Sequence, residues 1–263
     1  MGRIYSLVNQ KGGVGKTTTT INLGAYLSQM GQRVLLVDLD PQANATSCLG
    51  VDKKTVKGGT YEVLLGESPP TGLILHNTRL KLSLLPSSTA LAGAEIELVS
   101  ELGRELRLRA SLKTIVDRYD YILVDCPPSL GLLTVNGLVG ALNGLVIPVQ
   151  CEYLALEGIG LLMQTIQRVR LGLFPELAIR GVILTMYDGR TKLSSDVVSE
   201  VRRYYGNQVF QAVIPRSVRL AEAPSYGQPI NIYAPESSGA EAYNALAREV
   251  LVGDGITVPL PMS

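Results

Sequence analysis

Residues 9–18 read NQKGGVGKTT, between the apolar run Ile4–Val8 and an amphipathic stretch, Thr17–Met30. A glycine-rich loop that leaves a strand and opens a helix is the setting of a phosphate-binding loop. Gly12, Gly13 and Gly15 allow backbone conformations closed to other residues and a close approach to phosphate oxygens. Backbone N–H groups of Lys11–Thr18, Val14 among them, are expected to form an anion nest, to which the following helix adds its N-terminal partial charge. Lys16 is expected to reach the β- and γ-phosphates of a nucleotide, the Thr17 hydroxyl to hold Mg²⁺, and Thr18 to lie near the α-phosphate. The usual pattern is GxxxxGK[ST]. Here Gln10 stands in the first glycine position, and Lys11 lies five residues before Lys16.

Outward from this loop, short apolar runs alternate with helix-length amphipathic stretches. Strands are expected at Ile4–Val8, Val34–Asp38, Leu82–Leu85, Tyr121–Asp125, Gly144–Val149, Gly181–Met186 and Val209–Ile214. Helices are expected at Thr17–Met30, Leu106–Arg118, Leu156–Leu171, Ser194–Tyr205 and Ala240–Leu251. The strands are continuous Val/Ile/Leu runs, the mark of parallel strands covered on both faces. The alternation predicts right-handed βαβ units in an α/β fold: a doubly wound, mostly parallel sheet flanked by helices. Residues 1–252 read as one domain. Val51–Asn77, rich in Gly and Pro, reads as an irregular excursion with a short helix near Tyr61–Leu65. The tail, residues 253–263, is expected to be disordered or loosely packed.

Two strands end in carboxylates. VLLVDLDPQAN delivers Asp38 and Asp40 where strand becomes loop, and YILVDCPPS delivers Asp125. Ligands of parallel sheets bind at the C-terminal ends of the strands, so all three point toward the nucleotide crevice. Asp125 has the pattern of a carboxylate that holds Mg²⁺, often through water. Asp40 before Pro41 also suits a plain turn.

Composition removes several classes. The 263 residues carry a formal net charge of +1, so no global basic field draws the chain to DNA or membrane. Low aromatic content weighs against a base-stacking RNA reader. Three separated cysteines and one histidine, His76, argue against a disulfide frame or a zinc site. No signal peptide is evident, and no apolar run approaches the roughly 20 residues of a membrane span. A cytoplasmic protein is expected. From Arg180 to Arg219, however, seven Lys/Arg stand against three Asp/Glu.

KGGVGKTT resembles the deviant Walker A motif of the ParA/MinD superfamily of ATPases. The resemblance spans residues 3–251 and is nearest to the short chromosomal ParA branch, often called Soj. It implies ATP and Mg²⁺ as cofactors and a homodimer with ATP sandwiched between subunits. Lys11 would then act in trans on the partner's phosphates. Asp40 would position the attacking water, and Asp38 would lie near the metal shell beside Thr17 and Asp125. In PVQCEYLALEG, residues 148–158, Glu152 is implied to approach the partner's nucleotide. In IPRSVRLAEAPSYGQPI, residues 214–230, Pro215 and Ser217 are implied to border the base. Arg190 and Arg219 match arginines that contact DNA backbone, which gives affinity without sequence reading. A ParB-type centromere-binding partner, slow intrinsic hydrolysis and association with the nucleoid follow from the same likeness. Longer relatives carry an N-terminal helix-turn-helix domain, whereas the first strand here begins near Arg3. Positioning of another cargo on the nucleoid shares all of this chemistry. A MinD-like membrane ATPase is disfavoured because ITVPLPMS has two prolines and no Lys or Arg. Lys11 disfavours a metabolic ligase resembling dethiobiotin synthetase.

Overall fold

A computed structural model describes residues 2–153 and 155–258. The first half holds β1 (Arg3–Leu7), α1 (Lys16–Gln29), β2 (Val34–Asp38), α2 (Asn44–Cys48), α3 (Thr60–Leu65), β3 (Leu75–Asn77), β4 (Leu82–Leu85), α4 (Leu91–Glu97) and α5 (Arg107–Lys113). The second half holds β5 (Tyr121–Asp125), α6 (Leu132–Gly140), β6 (Gly144–Gln150), α7 (Ala155–Gly172), β7 (Ile179–Tyr187), α8 (Lys192–Tyr205), β8 (Val209–Pro215), α9 (Val218–Glu222), α10 (Ile230–Tyr233) and α11 (Ser238–Gly253). The strands form one sheet in the order β3-β4-β2-β5-β1-β6-β7-β8. Every pairing is parallel except β3 with β4.

Successive side chains of a strand point to opposite faces, so a strand buried on both sides must be apolar throughout. In β5, Ile122 and Val124 enter one core, while Tyr121 and Leu123 enter the other. β2 divides likewise, with Leu35 and Val37 against Val34 and Leu36. Helices α3–α8 supply the first core, through residues such as Leu64, Leu112, Leu138 and Leu162. Helices α1 and α11 cover the second, with Leu23, Leu27, Tyr243 and Leu246. The doubly wound sheet expected from the apolar runs is therefore present.

Two local expectations differ. Leu106–Arg118 is not one helix: α5 ends at Lys113 and a 3-10 turn follows at Val116–Arg118. The Thr114 hydroxyl donates to the Ser111 carbonyl at 2.7 Å, and β-branched Ile115 and Val116 follow. β3 lies in the stretch read as irregular. It is three residues long, pairs only with β4 and is mostly exposed, so it lacks an apolar signature.

Asp254, just past α11, draws the N-terminal ends of three strands together. Its carboxylate accepts from Tyr5 Oη at 2.8 Å, Tyr121 Oη at 2.9 Å and Arg180 Nε at 3.0 Å. Its carbonyl accepts from Arg3 Nη2 at 2.6 Å. Beyond it, Ile256 and Val258 lie against the second core. The remainder of the expected tail, residues 259–263, lies outside the described residues. The Asp254 side chain is 4% exposed, so truncation would strand Arg180 and two tyrosine hydroxyls. We expect Asp254→Ala to lower the unfolding free energy by about 3–5 kcal/mol in urea titrations. A loss below about 1 kcal/mol would show that the cluster contributes no more than a surface pair.

Candidate nucleotide site

The loop between β1 and α1 lies at the C-terminal edge of the sheet, with β1 flanked by β5 and β6. Gly13 and Gly15 have φ of 76° and 90°, values that side chains with a Cβ resist. Gly12 is not in that region, so of the three glycines only Gly13 and Gly15 use the backbone freedom expected of all three. Asn9 is buried, donates to the Pro148 carbonyl at 2.7 Å and accepts from the Lys11 N–H at 3.0 Å. Thr185 of β7 donates to the Val14 carbonyl at 2.8 Å. The loop is thus tied to β6 and β7. Helix α1 begins after Gly15 with no side-chain cap and no acidic residue in its first turn. Its leading N–H groups therefore lack the usual intrachain acceptor and favour an anion.

Asp38 and Asp125 are Cα partners at the ends of neighbouring β2 and β5, and neither is exposed. Asp125 Oδ2 accepts from Thr17 Oγ1 at 2.6 Å, and Oδ1 from Thr20 Oγ1 at 3.1 Å. Asp38 Oδ2 accepts from the Thr46 N–H and hydroxyl at 2.8 and 2.7 Å, and Oδ1 from the Asp40 N–H at 3.2 Å. Burial pushes the Asp125 carboxyl up to about 7, aided by the Asp38 charge and opposed by Thr17, Thr20 and Lys16. Burial likewise pushes Asp38 up to about 6, against the pull of Thr46 and the Asp40 N–H. Lys16 is 7% exposed, and burial lowers its pKa despite Asp125. Its ammonium donates to the Lys11 carbonyl at 3.2 Å. Asp40 is 6% exposed; its Oδ1 accepts from the Gln42 N–H at 2.9 Å and its carbonyl from Ser87 Oγ at 2.8 Å.

Gly12, Gly13, Gly15, Lys16, Thr17, Thr18 and Asp40 line one cavity of about 370 Å³. A second, of about 250 Å³, is lined by Pro215 and Ser217 with Ile214, Leu220 and Tyr243. Gly15, Thr18 and Met186 belong to both, so a polar and an apolar chamber adjoin. Sequence reasoning missed Met186, which has φ 53°, a strained setting for a bulky residue. It lies within β7, where the register with β8 shifts, and no glycine occupies the position. It also missed Thr46, whose role depends on the return of α2 beneath Asp38, and Cys48 on the cavity wall.

The structure does not bring the remaining predicted residues into this cleft. Lys11 extends away from Lys16, its side chain 41% exposed, and its ammonium pairs with Glu152 Oε1 of the same chain. Glu152 Oε2 accepts from Gln150 Nε2 at 2.6 Å. Of the adjoining segment 148–158, Leu154 and the side chains of 155–158 lie outside the described residues. Arg190 is bound twice by Asp188, at 2.9 and 2.7 Å, and holds that carboxyl down at about 2. Arg219 donates to Glu222 at 3.0 Å. Arg180 is spent on Asp254, so the basic excess of the segment is smaller in three dimensions than in sequence. Among the described residues, no helix is long and apolar enough to cross a membrane, and no cluster of His, Cys, Asp and Glu suits a metal ion by itself.

A parallel sheet with an uncapped glycine loop, an inward lysine and terminal carboxylates on adjacent strands defines a P-loop nucleotide-binding protein. Residues 2–179 match the AAA domain family. The chain is 52% identical over 250 residues to the sporulation initiation inhibitor protein Soj of Bacillus subtilis (strain 168), covering 95% of this chain and 98% of that one. It is 50% identical over 255 residues to the chromosome-partitioning ATPase Soj of Treponema pallidum (strain Nichols), covering 97% and 99%. A crystal structure described as cobyrinic acid a,c-diamide synthase from Mycobacterium smegmatis, with bound ADP and magnesium, superposes over 100% of both chains with a TM-score of 0.84 at 38% identity. The chain belongs to the Soj/ParA family of chromosome-partitioning ATPases.

The raised Asp125 value has a consequence for stability. Between its ordinary value near 3.8 and about 7, the folded carboxyl keeps a proton that the unfolded chain has lost. Its contribution is complete at low pH and vanishes as pH rises through about 7. Without nucleotide or Mg²⁺, wild-type stability should therefore fall across this window more steeply than that of Asp125→Asn, by up to about 1.4 kcal/mol per pH unit. Parallel pH curves from chemical denaturation would refute the assignment.

Proposed function

We propose that this chain hydrolyses ATP as a timed switch that moves DNA. The observation that carries the reading is the opposite disposition of two lysines on one loop. Lys16 is buried toward Asp125, whereas Lys11 projects from the rim onto surface Glu152. The loop N–H groups and Lys16 would cradle the triphosphate of ATP, with Pro215 and Ser217 beside the base. Thr17 and Asp125 are hard oxygen donors suited to Mg²⁺, and Asp38 supports them from behind. Bound Mg²⁺ would neutralise β- and γ-oxygens. Asp40 would orient water for attack on the γ-phosphorus as the bond to the bridging oxygen breaks and ADP leaves. Lys11 would leave Glu152 to reach the phosphates of a second copy, so the site would complete itself only in a homodimer. Slow hydrolysis by the isolated chain follows, with stimulation by a ParB-type partner.

Arg190 and Arg219 would then exchange their own carboxylates for DNA phosphates, without base reading. The dimer doubles these contacts, which would place the ATP-bound protein on the nucleoid. Affinity built this way falls steeply with salt. The test is retention of Asp40→Ala on DNA with ATP, ADP or no nucleotide. We expect retention with ATP only; equal retention in all three would end the switch model. In that background, Arg190→Glu and Arg219→Glu should abolish retention while ATP-dependent dimerisation survives. Unchanged DNA binding in both would move the contact elsewhere.

If Glu152 holds Lys11 back in the single chain, Glu152→Gln should increase ATP-dependent dimerisation about two- to five-fold, the scale of an exposed ion pair. Analytical ultracentrifugation reads this directly. A loss of dimer would instead make Glu152 a contact to the partner's nucleotide.

A further inference from the structure

A third cavity, of about 330 Å³, lies at the opposite end of the sheet from the nucleotide cleft. Arg33, Lys81, Ser83, His76, Arg118 and Tyr119 line it. These residues gather because β2, β4 and β5 begin side by side, so their first residues and the turns before them share one edge. One strand of about five residues, or roughly 16 Å, separates this edge from Asp38.

The charges here are not balanced. Arg33 is fixed by Asp120, whose Oδ2 accepts from the Arg33 N–H and Nε at 2.8 and 3.1 Å, and Oδ1 from Nη2 at 2.7 Å. Among the described residues, no further carboxylate is engaged by the lining cations. The side chains of Lys81 and Arg118 have no hydrogen-bond or ion-pair partner among the described residues. Tyr119 is only 8% exposed, lines the cavity and likewise has no partner for its hydroxyl. The Ser83 side chain, 7% exposed, meets His76 Nδ1 at 2.9 Å. Lys81 itself has φ 52°, an uncommon backbone for a residue with a Cβ. The turn before it is pinned by Asn77 Oδ1, which accepts from the Leu80 N–H at 3.0 Å, and by Ser28 Oγ on the Lys81 carbonyl at 2.9 Å. Lys81 is thus held at the rim despite the strain.

We propose that this cavity binds the phosphate groups of a small phosphorylated molecule, at a site separate from the ATP cleft. Two free cations of different geometry match a dianion: Arg118 as a planar fork and Lys81 as a point charge. The Tyr119 hydroxyl supplies a directed donor, and the volume lies within the usual range for small-ligand sites.

The test is calorimetric titration of pyrophosphate into protein already saturated with Mg²⁺ and the non-hydrolysable analogue adenylyl imidodiphosphate, so that the P-loop is occupied. We expect one pyrophosphate per chain, weakened about ten-fold or more in Lys81→Gln/Arg118→Gln and about three-fold in Tyr119→Phe. ATP hydrolysis should be unchanged in both variants. Citrate, a carboxylate polyanion, should bind at least about ten-fold more weakly. No saturable binding, equal binding by the variants, or equal binding of citrate would each overturn the proposal.

Discussion

The structure depends on keeping two carboxylates side by side without water. Asp38 and Asp125 end adjacent parallel strands in the same register, so their separation is set by the ladder and cannot relax. Burial raises the proton affinity of both, and a neighbouring carboxylate, Asp38 for Asp125 and Asp40 for Asp38, adds to it. Both effects are present at Asp125. Three threonines, Thr17, Thr20 and Thr46, supply the hydroxyls that make the arrangement tolerable. Lys16 carries the opposite burden, a buried ammonium whose charge is disfavoured. Each group is left short of what a metal–polyphosphate complex provides. The uncapped N-terminus of α1 is short of the same thing. The cleft is therefore organised before a ligand arrives, and part of the binding energy is relief of this internal imbalance.

That organisation reaches further than the loop. Asp38 is held by α2 through Thr46, and the Thr46 hydroxyl in turn accepts from the Ser87 N–H at 2.9 Å. Ser87 follows β4 and also grips the Asp40 carbonyl. Thr60, at the start of α3, donates to the Asp38 carbonyl at 2.6 Å. The stretch that reads as an irregular excursion thus supplies one support of the carboxylate pair, Thr60. On the other side, Asn9 and Thr185 moor the glycine loop to β6 and β7. Six strands, β1, β2, β4, β5, β6 and β7, contribute to the cleft, so its geometry draws on most of the width of the sheet.

The central strands, the P-loop and the terminal carboxylates were legible because each rests on local rules: apolar runs, glycine spacing, a strand end. What escaped depends on distance in sequence. β3 exists only because β4 offers it an edge. The positive φ of Met186 falls where β7 shifts register against β8, with no residue type to announce it. The basic excess between Arg180 and Arg219 is real in sequence, yet Asp254 and Glu222, which absorb two of its charges, lie outside that span. Net charge counted along a chain cannot show which cations are already paired.

The two classes of ion pair in this chain also divide by what they cost to break. Arg180 with Asp254 is enclosed and joined by two tyrosines, so parting it would leave buried charge exposed to nothing. Lys11 with Glu152, Arg190 with Asp188 and Arg219 with Glu222 all face solvent. Pairs of that kind are worth about 0–1 kcal/mol, and salt weakens them further. Replacing one carboxylate by a phosphate of higher charge density is then nearly free, and several replaced together sum to a decisive preference. Under the proposed function, cations parked on the chain's own surface carboxylates would stay neutral toward polyanions one contact at a time. They would bind only when geometry presents several contacts at once, which is what pairing two subunits would do.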